Sequence, residues 1–122
     1  MQTASTTRSP VNHRGGQSAY LLLAKGQFGA EHLAVTWVDC PAGSEQPLHM
    51  HAGLEQVYVI VRGSARVKVE DEIVELGEWD AIRFDKDTMR NVEAGPEGVE
   101  YLAFGAGTDP RDAEMSPGWW SE

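Results

Sequence analysis

Four histidines and one cysteine limit the chemistry open to this 122-residue chain. The informative pair is His49 and His51, set in Gly43-Ser44-Glu45-Gln46-Pro47-Leu48-His49-Met50-His51. Successive side chains of an extended chain point to opposite faces, so residues two apart share one. The two imidazoles therefore can converge on one point. After a short loop, Glu55 and Gln56 precede Val57-Tyr58-Val59-Ile60-Val61, a β-branched and aromatic run that reads as a buried strand. Two neutral imidazoles and one side-chain oxygen are the ingredients of a divalent first-row metal site with open positions. Imidazole accepts Fe, Mn, Ni, Cu, Zn or Co, so the ligands leave the metal's identity open. If Gln56 faces inward, so do Tyr58 and Ile60, and Tyr58 is then the nearest proton donor or acceptor. A tyrosine whose hydroxyl simply finds a buried partner is an equally weighted reading.

The other candidates are weaker. His13 lies in a polar N-terminal stretch, and His32 stands at the start of a strand where a surface or packing role is the simpler expectation. Cys40 has no second cysteine at ligand spacing and reads as a packed thiol. Trp37, Phe84, Tyr101 and Phe104 are core candidates that can also line a cavity. Arg83 and Arg90 are expected on the surface; an inward arginine there would bind an anionic substrate or fill the space of a histidine absent from the second motif given below.

The elements that must position these residues are short strands. Leu33 to Asp39 alternates, Ser64 to Val69 alternates, and Ile73-Val74-Glu75-Leu76, Trp79 to Phe84, Met89 to Glu93 and Val99 to Phe104 follow with turn residues between them. Gly63 and Ala94-Gly95-Pro96-Glu97-Gly98 read as breaks. Strands at this density indicate an all-β sandwich or jelly-roll barrel. Residues 1–16 read as a flexible arm, 17–107 as the barrel, and 108–122 as a tail whose Met115, Trp119 and Trp120 pack on it.

The stretch from Gly43 to Gly63 resembles the first motif of the cupin superfamily: Gly, five residues, His-x-His, a few residues, an acid or amide, six residues, Gly. Counting back from Gly63 puts Gln56 at the third ligand; counting on from His51 puts Glu55 there. Strand parity must separate them, and Gln56 is favoured. The second motif starts well at Gly77. By that count Arg83, Asp85 and Thr88 stand where the family has Pro, Gly and its fourth ligand His, and Asn91 lies one residue from the motif's Asn. The resemblance implies an all-β fold, a double-stranded β-helix (the cupin jelly-roll barrel). It implies a metal on His49, His51 and Gln56, and dioxygenase-, isomerase-, lyase- or cyclase-type chemistry on a small oxygenated molecule. A non-catalytic sensor or carrier, or a metal-free barrel using its histidines as acid and base, is the alternative.

Asp and Glu number 19 against 10 Lys and Arg, a net charge of −9. Such a surface repels phosphate backbones, so no nucleic-acid partner is expected. No run nears the ~20 apolar residues a membrane helix needs. With no apolar leader, a cytoplasmic location is expected. Both faces of Val57 to Val61 are apolar, and the outer one suggests a homodimer contact.

Overall fold

The computed structural model describes residues 11–14, 17–23, 33–44, 48–51, 54–85, 88–107 and 113–116. Every regular element in them is a strand: β1 (Val11–Arg14), β2 (Gln17–Leu23), β3 (Leu33–Cys40), β4 (Leu48–His51), β5 (Leu54–Val69), β6 (Glu72–Leu76), β7 (Ala81–Phe84), β8 (Arg90–Gly107) and β9 (Ala113–Ser116). All pairings are antiparallel.

Two long strands form the spine. β5 and β8 run antiparallel from Leu54↔Gly107 to Val69↔Arg90, with register shifts at Ile60/Arg62 and Gly63/Ala65. On one half of this ribbon β7 joins β5, and β3, β2 and β1 extend from β8. On the other half β6 joins β5, and β4 then β9 extend from β8. Two sheets thus share the same two strands, which is how a jelly roll closes. Alternation does the rest: Tyr58, Ile60, Ala65, Val67, Val92, Val99, Tyr101 and Ala103 of the spine turn inward and form the core with Val38, Cys40, Leu76 and Phe84.

The breaks expected at Gly63 and at 94–98 are bends within continuous strands. Gly63 (φ 83°) and Gly98 (φ 82°) adopt the left-handed conformation that glycine tolerates. They also pass close to one another: a Cβ on Gly63 would lie 2.1 Å from the Gly98 carbonyl oxygen. A Cβ on Gly98 would lie 2.9 Å from the Cys40 carbonyl oxygen. A turn signal and a bulge signal look alike in sequence, and here backbone crowding selects the bulge.

Both ends contribute strands to the sheet. Part of the stretch read as a flexible arm is β1, paired with β2 from Val11↔Tyr20 to Arg14↔Gln17. Part of the tail is β9, laid along β4 with His49 opposite Met115 and His51 opposite Ala113. Backbone hydrogen bonding, which has no side-chain signature, makes both strands. His32, Trp119 and Trp120 lie outside the described residues.

Candidate functional site

Strand parity on β5 separates the two third-ligand candidates. Gln56 is 4% exposed and faces the barrel interior with Tyr58 and Ile60. Glu55 lies on the outer face, where its carboxylate pairs with Arg83. Arg83 also reaches Asp85 at 2.8 Å, so this arginine belongs to the surface, as expected.

Arg90 does the opposite. It is wholly buried. Its backbone is fixed at the start of β8, just after Met89, which is held from both sides: Glu70 N–H donates to the Met89 carbonyl (3.0 Å) and Met89 N–H donates to Glu70 Oε1 (3.2 Å). The guanidinium then crosses between the sheets. Nη1 donates to the Thr88 carbonyl at 2.9 Å, and Nη2 donates to Gln56 Oε1. The Tyr58 hydroxyl is hydrogen-bonded to the same guanidinium. The Phe84 ring lies beneath it, 4.8 Å from ring centroid to guanidinium carbon, in cation–π contact. Arg90 Nε has no hydrogen-bond partner.

Aromatic rings wall this cluster. Tyr58 lies 4.8 Å from Phe84, edge-on, and 4.8 Å from Tyr101. Burial pushes the Tyr58 phenol above its ordinary value, an effect partly offset by the charge and hydrogen bond of Arg90. Tyr58 is therefore a neutral hydroxyl at physiological pH, a proton donor more than a base. Of the other aromatic candidates, Trp37 stacks on Tyr20 at 4.4 Å, and Phe104 is 40% exposed on the outer face. Cys40 is buried and its thiol is pushed up to about 12, by burial first and by Asp39 second, so it is an inert packing group.

The histidine pair sits on β4, and its backbone register is informative. His49 is the residue paired with Arg90 of β8. One sheet thus carries His49 and Arg90 on adjacent strands, while the facing sheet carries Gln56, Tyr58 and Phe84.

The turn before β7 bears on why the surface was the favoured place for Arg90, and the inward alternative is the one the structure adopts. Gly77 N–H donates to Asp80 Oδ2 at 2.8 Å, and Trp79 and Asp80 clasp Ile60 through Trp79 N–H to Ile60 O (2.8 Å) and Ile60 N–H to Asp80 O (2.9 Å). The left-handed residue in this turn is Trp79, with φ 67°, and not Gly77. Counted from Trp79 instead of Gly77, the second motif moves two residues along. Its fourth-ligand place then falls on Arg90 and no longer on Thr88.

The donor chemistry was tested against a bound metal. The Gln56 amide oxygen is buried, faces inward and has two lone pairs, of which Arg90 takes one. Among the described residues no carboxylate is buried. Gln56 is thus a neutral donor of the type a divalent ion accepts, and His49 and His51 are placed by their backbone on β4. Arginine, which has no acceptor atom, can be only its neighbour and never its ligand. A separate groove of about 420 Å³, lined by Ser64, Arg66, Glu75, Glu93 and Pro96 among others, contains none of these residues.

No family model matches the sequence. No curated protein matches it either. The fold, in contrast, has many solved counterparts. Oxalate decarboxylase of Bacillus subtilis superposes with a TM-score of 0.82 at 22% identity over 99% of this chain, which spans 34% of that one. The polyketide cyclase RemF from Streptomyces resistomycificus gives 0.76 at 18% identity, covering 94% of this chain and 84% of its own. An RmlC-like cupin from Shewanella frigidimarina gives 0.73 at 17% identity, covering 88% and 92%. With two sheets folded from one shared pair of strands around Gln56, Tyr58 and Arg90, the chain has the jelly-roll fold of these cupins.

Proposed function

We propose that the barrel interior binds one divalent transition metal through His49, His51 and Gln56 and acts on a small oxygenated molecule. The observation that carries this reading is the inward placement of Gln56 and Tyr58 on β5, bonded to the residue that pairs with His49. When bound, the metal supplies Lewis acidity and open positions for an oxygen donor. The chain's own residues do the rest. Gln56 supplies a neutral oxygen where a carboxylate would bring charge. Tyr58, held protonated by burial, offers its hydroxyl to an oxygen of the occupant. Phe84 and Tyr101 exclude water from the inner wall, which strengthens every polar contact made there.

That oxalate decarboxylase and a polyketide cyclase share the fold supports reading it as one that carries enzymes. The reaction class stays broad: oxygenation, isomerisation, elimination or cyclisation.

Elemental analysis of tag-free protein tests the reading. Near-stoichiometric metal in the wild type, lost in His51→Ala and weakened in Gln56→Ala but kept in Glu55→Ala, is expected. A wild type that stays metal-free after loading, or metal retained in His51→Ala, would refute it.

A second copy of the chain is the proposed partner. The outer face of β3, β8 and β5 carries half-buried Val35, Trp37, Leu102, Val57 and Val59 around the exposed Phe104. Light scattering should give a dimer mass that falls in Phe104→Lys; a monomeric wild type would refute it.

A further inference from the structure

We infer that Arg90 is the anchor for an acidic ligand, so that the occupant of the barrel is a small organic acid carrying a carboxylate beside a second oxygen. The inference rests on the reading of the interior as a ligand site and names its substrate class.

Charge drives it. A guanidinium stays protonated wherever it is placed, and burying one without a counter-charge is costly. Arg90 is wholly buried, yet its partners among the described residues are neutral: the Thr88 carbonyl, the Gln56 amide, the Tyr58 hydroxyl and the Phe84 ring. Among the described residues the carboxylates paired with arginine are Glu55, Asp85, Glu93 and Glu100, and none of these four is buried. The described residues thus hold a full positive charge inside and supply no acid to meet it. A metal on three neutral donors would add to that charge, so with or without the ion the missing component is an anion.

Geometry gives the anion's shape. The unpartnered Nε–H is the third edge of the guanidinium fork, and a carboxylate is the planar acceptor that matches such a fork. The Tyr58 hydroxyl beside it suits a second oxygen on the same small molecule. Phe84, Tyr58 and Tyr101 wall the guanidinium with aromatic rings, and Arg90 is the one buried cation among the described residues, so it anchors one carboxylate of the ligand.

Titration calorimetry with glycolate and pyruvate, and with glycolamide as the neutral control, tests this on metal-stripped and metal-loaded full-length protein. The acids should bind saturably to the wild type and glycolamide should not. Affinity should fall by roughly tenfold or more in Arg90→Met, the loss expected for charged hydrogen bonds, and partly recover in Arg90→Lys. Circular dichroism establishes that each variant is folded. Equal acid affinity in folded Arg90→Met, or no saturable acid binding to either form of the wild type, would overturn the inference. Metal content, measured on the same samples, separates the two readings. Acid binding by a chain that never holds metal refutes the metal site and keeps this anchor; metal without acid binding does the reverse.

Discussion

Replacing Trp79 with glycine should make the protein more stable. Trp79 sits at φ 67°, a region that costs an L-residue roughly 1–2 kcal/mol. Little offsets that cost, because the side chain is 72% exposed and contributes little burial. The turn itself is held by backbone bonds that glycine would keep: Trp79 N–H to Ile60 O and Asp80 N–H to Gly77 O. Glycine adds freedom to the unfolded chain worth about 0.4–1 kcal/mol, which subtracts from the gain. The net expectation is about 0.5–1 kcal/mol, or a rise of roughly 2–5 °C in melting temperature for a domain of this size. Differential scanning calorimetry of wild type, Trp79→Gly and Trp79→Ala measures it, with alanine expected to show no gain because it keeps the strain. A fall in Trp79→Gly would mean that the residue is not left-handed. The backbone argument that assigns Arg90 to the fourth-ligand place would then fail with it.

Three further outcomes follow from the same geometry. Arg90→Met removes a buried cation with only neutral partners; apolar replacement of buried charges is often neutral or stabilising by about 1–4 kcal/mol. Its denaturation midpoint should equal or exceed that of the wild type, and a large drop would mark Arg90 as a structural strut. Gly63→Ala drives a Cβ into the Gly98 carbonyl at a left-handed position, so chemical denaturation should show a loss of about 3 kcal/mol or more; a loss under about 1 would contradict the crossing of β5 and β8. Burial pushes the Cys40 thiol up to about 12 when folded, against an ordinary value of 9.0, so its contribution is complete below pH 9 and lost as pH rises through 12. At pH 10 the deficit is about 1.4 kcal/mol, and Cys40→Ala should show a shallower alkaline decline than the wild type. Parallel declines would refute it.

The strands and their parity were legible because period-two alternation is a direct record of burial. Gln56 against Glu55, Ala65 and Val67 against Arg66, and the inward Tyr58 all follow from it. Continuity was not legible. Gly63 and Gly98 read as terminators, yet each is a bend inside a longer strand, since only the crossing backbones decide between a turn and a bulge. β1 and β9 were invisible for a related reason: backbone pairing made them strands, and a polar stretch pairs as well as an apolar one. Arg90 was a candidate whose inward alternative was the less favoured one. Arginine is expected at surfaces, and a motif counted from its only glycine, Gly77, set the vacancy at Thr88. The sequence carried no signal for the left-handed residue at Trp79, because a tryptophan is not expected at φ 67°.

The most direct measurement is anomalous diffraction at a metal edge from crystals grown with manganese and glycolate. The account predicts one peak inside the barrel, about 2.0–2.3 Å from a nitrogen of His49, a nitrogen of His51 and Gln56 Oε1. A carboxylate should lie between that peak and the Arg90 guanidinium. Imidazoles turned to solvent, or a peak anywhere outside the two sheets, would contradict it.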